Sequence, residues 1–169
     1  MALMSGKEGR VFYLARITMI AALCVAILVL GGARMGMFSG MRPDNLGVIA
    51  GKLAACKPTP NCVASQADKS DAEHYIAPIA FSGDATRAWE LLKRAVIGME
   101  RVSVVREAPG YLHVEQTTRL MGFVDDCEFA LDPAGLIQVR SASRLGRKDF
   151  GVNRARIEAV RARFEELSK

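Results

Sequence analysis

The sequence is poor in the residues that mark catalysis. It has no glycine-rich phosphate loop, no Gly-x-Ser-x-Gly, no His-Glu-x-x-His and no Cys-x-x-Cys. His74 and His113 are its two histidines, far apart in the chain, so no Ser-His-Asp set can be nominated from spacing, and a metal site at the cysteines would have to draw on these remote histidines. Aromatic residues make up 7%, with Trp89 the one tryptophan. A chain of 169 residues is too short for a large barrel enzyme or a multi-helix transporter, and 24% charged residues exclude wholesale disorder.

What is present begins at the amino end. Lys7, Arg10 and Arg16 precede an apolar run over Ile17–Leu30, interrupted only by Thr18. Taken from Val11 to Ala33 the segment reaches roughly 35 Å as a helix, enough to cross a bilayer core with some tilt. Arg16 can snorkel to the headgroups. The segment reads as a transmembrane anchor over residues 1–33. The competing reading is a cleaved signal peptide, for which Gly31 and Ala33 are small enough. The cationic amino end should stay cytoplasmic, although Arg34, Arg42 and Lys52 on the far side weaken the asymmetry. Leu23 before Cys24 is too large for the small residue expected beside a lipidated cysteine.

Residues 34–73 read as an extended, partly ordered tether. The tight loop Cys56-Lys57-Pro58-Thr59-Pro60-Asn61-Cys62 can close as a disulfide in an oxidising compartment; free thiols and a metal site are the alternatives. Cys127 reads as a small buried apolar residue.

Residues 74–169 read as the folded domain. Tyr75–Phe81 is expected to be a short strand confined to a sheet edge by Pro78. Ser82-Gly83-Asp84 offers a helix cap. Ala85, Ala88, Trp89, Leu92, Ala95, Val96 and Met99 then follow helical spacing without a miss. Four strands are expected: Val102–Glu107, Tyr111–Arg119, Gly122–Leu131 and Leu136–Ser143. Pro133-Ala134-Gly135 makes a three-residue turn, which places Phe129 opposite Val139, Cys127 opposite Ser141 and Glu128 opposite Arg140. Asp125 then falls on the apolar face opposite Ser143. There it must be paired, either as an internal brace with the serines or an arginine, or as part of a polar cluster at a cavity mouth. His113 points away from the face of Leu112 and Val114. A last helix is expected over Arg154–Leu167, capped by Asn153, with Ile157, Val160, Phe164 and Leu167 inward. Arg154–Glu158 and Arg161–Glu165 are expected as i, i+4 pairs.

Charge is unevenly spread. Arg140–Arg163 holds eight cations and two acids, while Tyr111–Val139 holds one cation and five acids. Arg154 and Arg156 also fall in the first turn of a helix, where the dipole disfavours them. Asp149, Asp125, Asp126 and Glu128 can offset this as an internal network. A bound anion, such as a phosphate or an anionic lipid headgroup, can do so as well. Nucleic acid fits poorly, since Phe150 is the single aromatic within the basic run.

Three strings carry a resemblance: Lys57-Pro58-Thr59-Pro60-Asn61-Cys62-Val63-Ala64-Ser65-Gln66, Phe123-Val124-Asp125-Asp126, and Val139-Arg140-Ser141-Ala142-Ser143-Arg144 followed by Asp149-Phe150-Gly151-Val152-Asn153-Arg154. Over about Arg42 to Phe164 the chain resembles the DUF1499 family, a domain of unknown function found in bacteria and plastids. Arg147-Lys148 departs from the pattern, where an aromatic and a small polar residue are expected. The family implies no activity. It marks Asn61, Asp125, Asp126, Arg140, Ser141, Ser143, Arg144, Asp149, Asn153 and Arg154 for testing.

The expectation is an α+β domain, with one antiparallel sheet of four to five strands packed against two helices, behind one transmembrane helix. It is placed at a bacterial inner membrane, single-pass, with the carboxyl-terminal domain in the periplasm and no cofactor. The expected role is a non-catalytic module binding an anionic lipid or small ligand through Asp125, Arg140, Ser141, Ser143, Arg144, Asp149, Asn153, Arg154 and Arg156. The alternatives are an assembly subunit with an envelope protein partner and no ligand, and a hydrolase using Asp125 or Asp126.

Overall fold

The computed structural model describes residues 6–169; the side chains of Lys7 and Arg34, two of the cations flanking the apolar segment, lie outside the described residues. A long helix, α1 (Gly6–Arg34), opens the chain. Its stretch Gly9–Ala33 is long and apolar enough to cross a membrane, and its residues are exposed apart from Gly32 and Ala33 at its end. There follow β1 (Cys62–Ala64), β2 (Ile79–Ala80), α2 (Ala85–Ile97), β3 (Val102–Ala108), β4 (Tyr111–Thr117), β5 (Val124–Asp132), β6 (Leu136–Ser143) and α3 (Val152–Leu167). The fold is α+β, with a single antiparallel sheet ordered β1-β6-β5-β4-β3. The outer edge of β6 is shared end to end: β1 pairs with its Arg140–Ala142 part and β2 with Leu136–Ile137.

The β5–β6 hairpin carries the register that the three-residue turn dictates. Asp132 faces Leu136, Phe129 faces Val139, Cys127 faces Ser141 and Asp125 faces Ser143. Gly135 takes the left-handed conformation that closes such a loop. One sheet face is apolar: Leu112, Val114, Cys127, Phe129, Ile137 and Val139 pack against Trp89, Leu92 and Val96 of α2 and Ile157, Val160 and Phe164 of α3. Asp84 caps α2 by accepting from the Arg87 N–H.

Several local expectations are corrected. Of Tyr75–Phe81, Ile79–Ala80 alone forms a strand, because Pro78 cannot donate to a ladder; Tyr75 meets Ala64 in a single parallel bridge. Asn153 is not the cap of α3. Gly151 takes that position, and Asp149 accepts from the Gly151 and Asn153 N–H groups instead. Arg154 does not pair with Glu158; its guanidinium donates to the Ala72 and Glu73 carbonyls. Arg161 pairs with Glu158 rather than Glu165, and also donates to the Ala77 and Pro78 carbonyls.

The 34–73 segment is more than a tether. It supplies β1 and lies across the second face of the sheet. Arg42 bonds Glu115, the Gly47 N–H donates to Glu128, and Leu53 packs on Tyr111 and Ala130. Gly47 has φ of 122°, a conformation open to glycine, and this lets its N–H turn down onto the sheet. Cys56 and Cys62 are joined in a disulfide that ties this segment to β1.

Candidate functional site

Strand alternation sorts the polar residues of the sheet into two groups, one on each face. On the helix face lie Asp125, Ser141 and Ser143, with Gln116 beside Asp125 on β4. Arg156 of α3 reaches into this group. It donates to Asp125 at 2.5 Å, to Ser141 at 2.9 Å, to Asn153 at 2.6 Å and to Gln116 at 2.5 Å. Asn153 completes the cluster. Its amide oxygen accepts from Ser141, and its nitrogen donates to Ser143 and to the Asn61 carbonyl. This is why it cannot cap its own helix. The cluster is buried and closed on itself, so it braces β5, β6, β1 and α3 together. The Cys127 thiol sits 3.3 Å from Ser141 with its pKa pushed up by burial.

The second face carries Glu115, His113, Tyr111, Asp126, Glu128 and Arg140. The sequence reading leaves Glu128–Arg140 as a cross-strand pair on the open face. The structure buries it: Glu128 is 0% and Arg140 5% exposed, because the 41–53 segment lies over them. Glu128 accepts from the Gly47 N–H, the Tyr111 hydroxyl and Arg140. Burial, with the adjacent Glu128 carboxylate, raises the Tyr111 hydroxyl pKa. Asp126 takes a bidentate pair of bonds from Arg144, both at 2.8 Å, and a third from His113 at 2.8 Å. Arg144 also bonds Glu115, which Arg42 holds from the other side.

Burial alone pushes the Asp126 carboxyl up, but the bonds from Arg144 and His113 outweigh it and hold the group at about 2. The ordinary value is 3.8, so the folded state binds this proton less readily than the unfolded chain. The stabilisation is therefore complete above about pH 4 and lost as pH falls through about 2, an effect on the order of 2 kcal/mol. Urea titrations of the full chain between pH 5 and pH 2 should show the midpoint falling across that window; a flat midpoint contradicts the Asp126–Arg144 assignment.

Between the 41–45 segment, the disulfide loop and the second face lies a cleft of about 460 Å³. Arg42, Lys57, Arg140 and Arg144 border it, against the acids Asp44 and Asp126. Lys57 makes no ion pair among the described residues, and the buried Nε–H of Arg140 has no hydrogen-bond partner among them. Asn61 and Ser143 form part of the wall. Of the residues marked in the sequence, Asn61, Asp126, Arg140 and Arg144 thus meet at the cleft, which Ser143 also borders while its hydroxyl serves the brace. Asp125, Ser141, Asn153 and Arg156 meet in the brace on the other face. Asp149 serves the α3 terminus, and Arg154 lies apart, on the 72–73 carbonyls.

Lys57, Arg42 and Glu115 were not singled out as site residues from sequence. Glu115 was legible in principle: in the β4–β5 register it stands beside Asp126, and two acids in adjacent places on one sheet face call for cations. Lys57 carries no such signal, since only the folded disulfide loop brings it to the cleft. Among the described residues no group of three His, Cys, Asp or Glu side chains is placed to hold a metal ion.

The family model for a protein of unknown function, DUF1499, matches residues 52–164. The chain belongs to the DUF1499 family. The match takes in the disulfide loop, the sheet residues of both polar clusters and α3 as far as Phe164, and leaves α1, the 41–45 roof of the cleft and Gly47 outside it. No curated protein and no solved structure matches this DUF1499 chain.

Proposed function

We propose that this DUF1499 protein is a membrane-anchored module that binds a small anionic group, a phosphate or carboxylate, in the cleft over the second sheet face. The observation that carries the reading is Arg140. It is a buried guanidinium on the cleft wall, with one N–H spent on Glu128 and its Nε–H unspent. A buried donor left unpaired costs about 1–3 kcal/mol, and an anion in the cleft would satisfy it. Lys57, exposed and unpaired at the rim, adds the mobile cation that an incoming anion meets first. Arg42 and Arg144 supply the rest of the positive wall.

The position fits a role at a membrane. The 41–45 segment that roofs the cleft follows soon after α1, which ends at Arg34, so an α1 spanning the bilayer would hold the cleft close to the lipid surface. The Cys56–Cys62 disulfide suits an oxidising compartment, and with a cationic amino end it supports the periplasmic side of a bacterial inner membrane. A hydrolase using Asp126 is less well supported, since a general acid at neutral pH needs a carboxyl raised by burial and this one is held at about 2.

The test uses the full chain in detergent, titrated with inorganic phosphate by calorimetry. The wild-type chain should bind, and Lys57→Ala should weaken binding about tenfold with an unchanged melting temperature, because Lys57 is exposed and makes no hydrogen bond or ion pair among the described residues. Absence of phosphate and acetate binding by the wild-type chain would contradict the reading and favour a protein partner instead.

A further inference from the structure

A second cavity, of about 780 Å³, lies where α1 meets the domain, away from the cleft. Its two sides differ in chemistry. Ile27 and Leu30 of α1 form an apolar wall. Arg101, Thr118, Arg119 and Leu120, flanking β3 and the β4–β5 turn, form the other. Among the described residues, no acidic one borders it. Arg119 makes no ion pair among the described residues, and Arg101 pairs with the exposed Glu100, which water screens. Leu120 at the tip of the turn is 70% exposed.

The niche is held in place. Gly122 has φ of 68°, and a Cβ there would stand 2.8 Å from the Ala33 carbonyl oxygen, so the turn lies directly on the end of α1. Phe38 and Phe123 add a ring contact with centroids 5.6 Å apart. The apolar stretch Gly9–Ala33 has 25 residues, whereas a hydrocarbon core needs about 20. Its last turns, which carry Ile27 and Leu30, therefore fall at the boundary between acyl chains and headgroups. The β4–β5 turn must lie at the same level.

We propose that this niche holds an anionic phospholipid of the surrounding membrane, its acyl chain along Ile27 and Leu30 and its phosphodiester between Arg101 and Arg119, with Leu120 dipping into the interface. The inference rests on α1 being a membrane anchor, and it concerns a different site from the cleft. A free anion would find no use for the apolar wall, and a zwitterionic lipid would answer the two arginines less well.

The full chain is reconstituted into phosphatidylcholine vesicles with and without phosphatidylglycerol, floated on a gradient, extracted in mild detergent and weighed by native mass spectrometry. The expected result is a floating chain that retains phosphatidylglycerol in preference to phosphatidylcholine. Arg101→Glu with Arg119→Glu, and Arg119→Glu alone, should reduce that retention, the double variant about tenfold. A chain that fails to float overturns the anchor and the niche together. A chain that floats without preferring the anionic lipid, or a double variant that retains it as well as wild type, overturns the niche and leaves the anchor standing.

Discussion

Arg156→Met should destabilise the domain by about 3–5 kcal/mol, read as a large fall in the urea midpoint of the full chain. The guanidinium serves Asp125, Ser141, Asn153 and Gln116 at once. Methionine fills much of the volume but leaves the Asp125 carboxylate buried without its cation. The pair Arg156→Met with Asp125→Leu removes both charges, and should recover a large part of the loss, because a buried ion pair replaced by apolar residues of similar volume is often neutral. A single variant as stable as wild type would show that the brace holds nothing. Phosphate binding by the double variant should be close to wild type, since this cluster lies on the opposite sheet face from the cleft.

Arg140→Met should have the other large effect, and it should strike both stability and binding. Glu128 would keep the Gly47 N–H and the Tyr111 hydroxyl but lose its cation while fully buried, at a cost of about 3–5 kcal/mol at neutral pH. Glu128→Gln with Arg140→Met should restore most of the stability and none of the phosphate affinity. Restored binding in that double variant would remove Arg140 from the ligand site. Unrestored stability would mean that the strand pairing, and not the charge, is what the substitution damages.

Much of the fold was legible in the residues themselves. The spacing from Ala85 to Met99 marked α2, and the three-residue turn at Pro133-Ala134-Gly135 dictated a register that the structure carries in full. That register alone placed Asp125 on the apolar face and so required a partner for it. The partner proved to be Arg156, which the helix expected from Arg154 puts in its first turn and the observed start of α3 at Val152 puts beyond it. The four acids set against the basic run in the sequence, Asp125, Asp126, Glu128 and Asp149, all answer it, the first three by ion pairs and Asp149 at the α3 backbone.

The covering of the second face was not legible. The 34–53 segment has no periodicity, and its hold on the sheet depends on single contacts such as the Gly47 N–H on Glu128 and Arg42 on Glu115. These are long-range contacts that local sequence does not announce. Without them Glu128 and Arg140 look like a solvated pair of small worth, and the cleft does not exist. The Arg154–Glu158 expectation failed for a related reason: the 72–73 carbonyls, remote in sequence, offered Arg154 better acceptors than a solvated carboxylate one turn away.

The most direct test of anion binding is the mass of the full chain as it leaves its own membrane. The chain is extracted gently and weighed by native mass spectrometry before and after mild denaturation, for wild type and for Lys57→Ala. A small acidic species other than a phospholipid, retained by the wild type, released on denaturation and depleted in Lys57→Ala, is the predicted result. A wild-type chain that carries no anion, remains folded and arrives in stoichiometric complex with another protein would contradict the account and assign the cleft to stability alone.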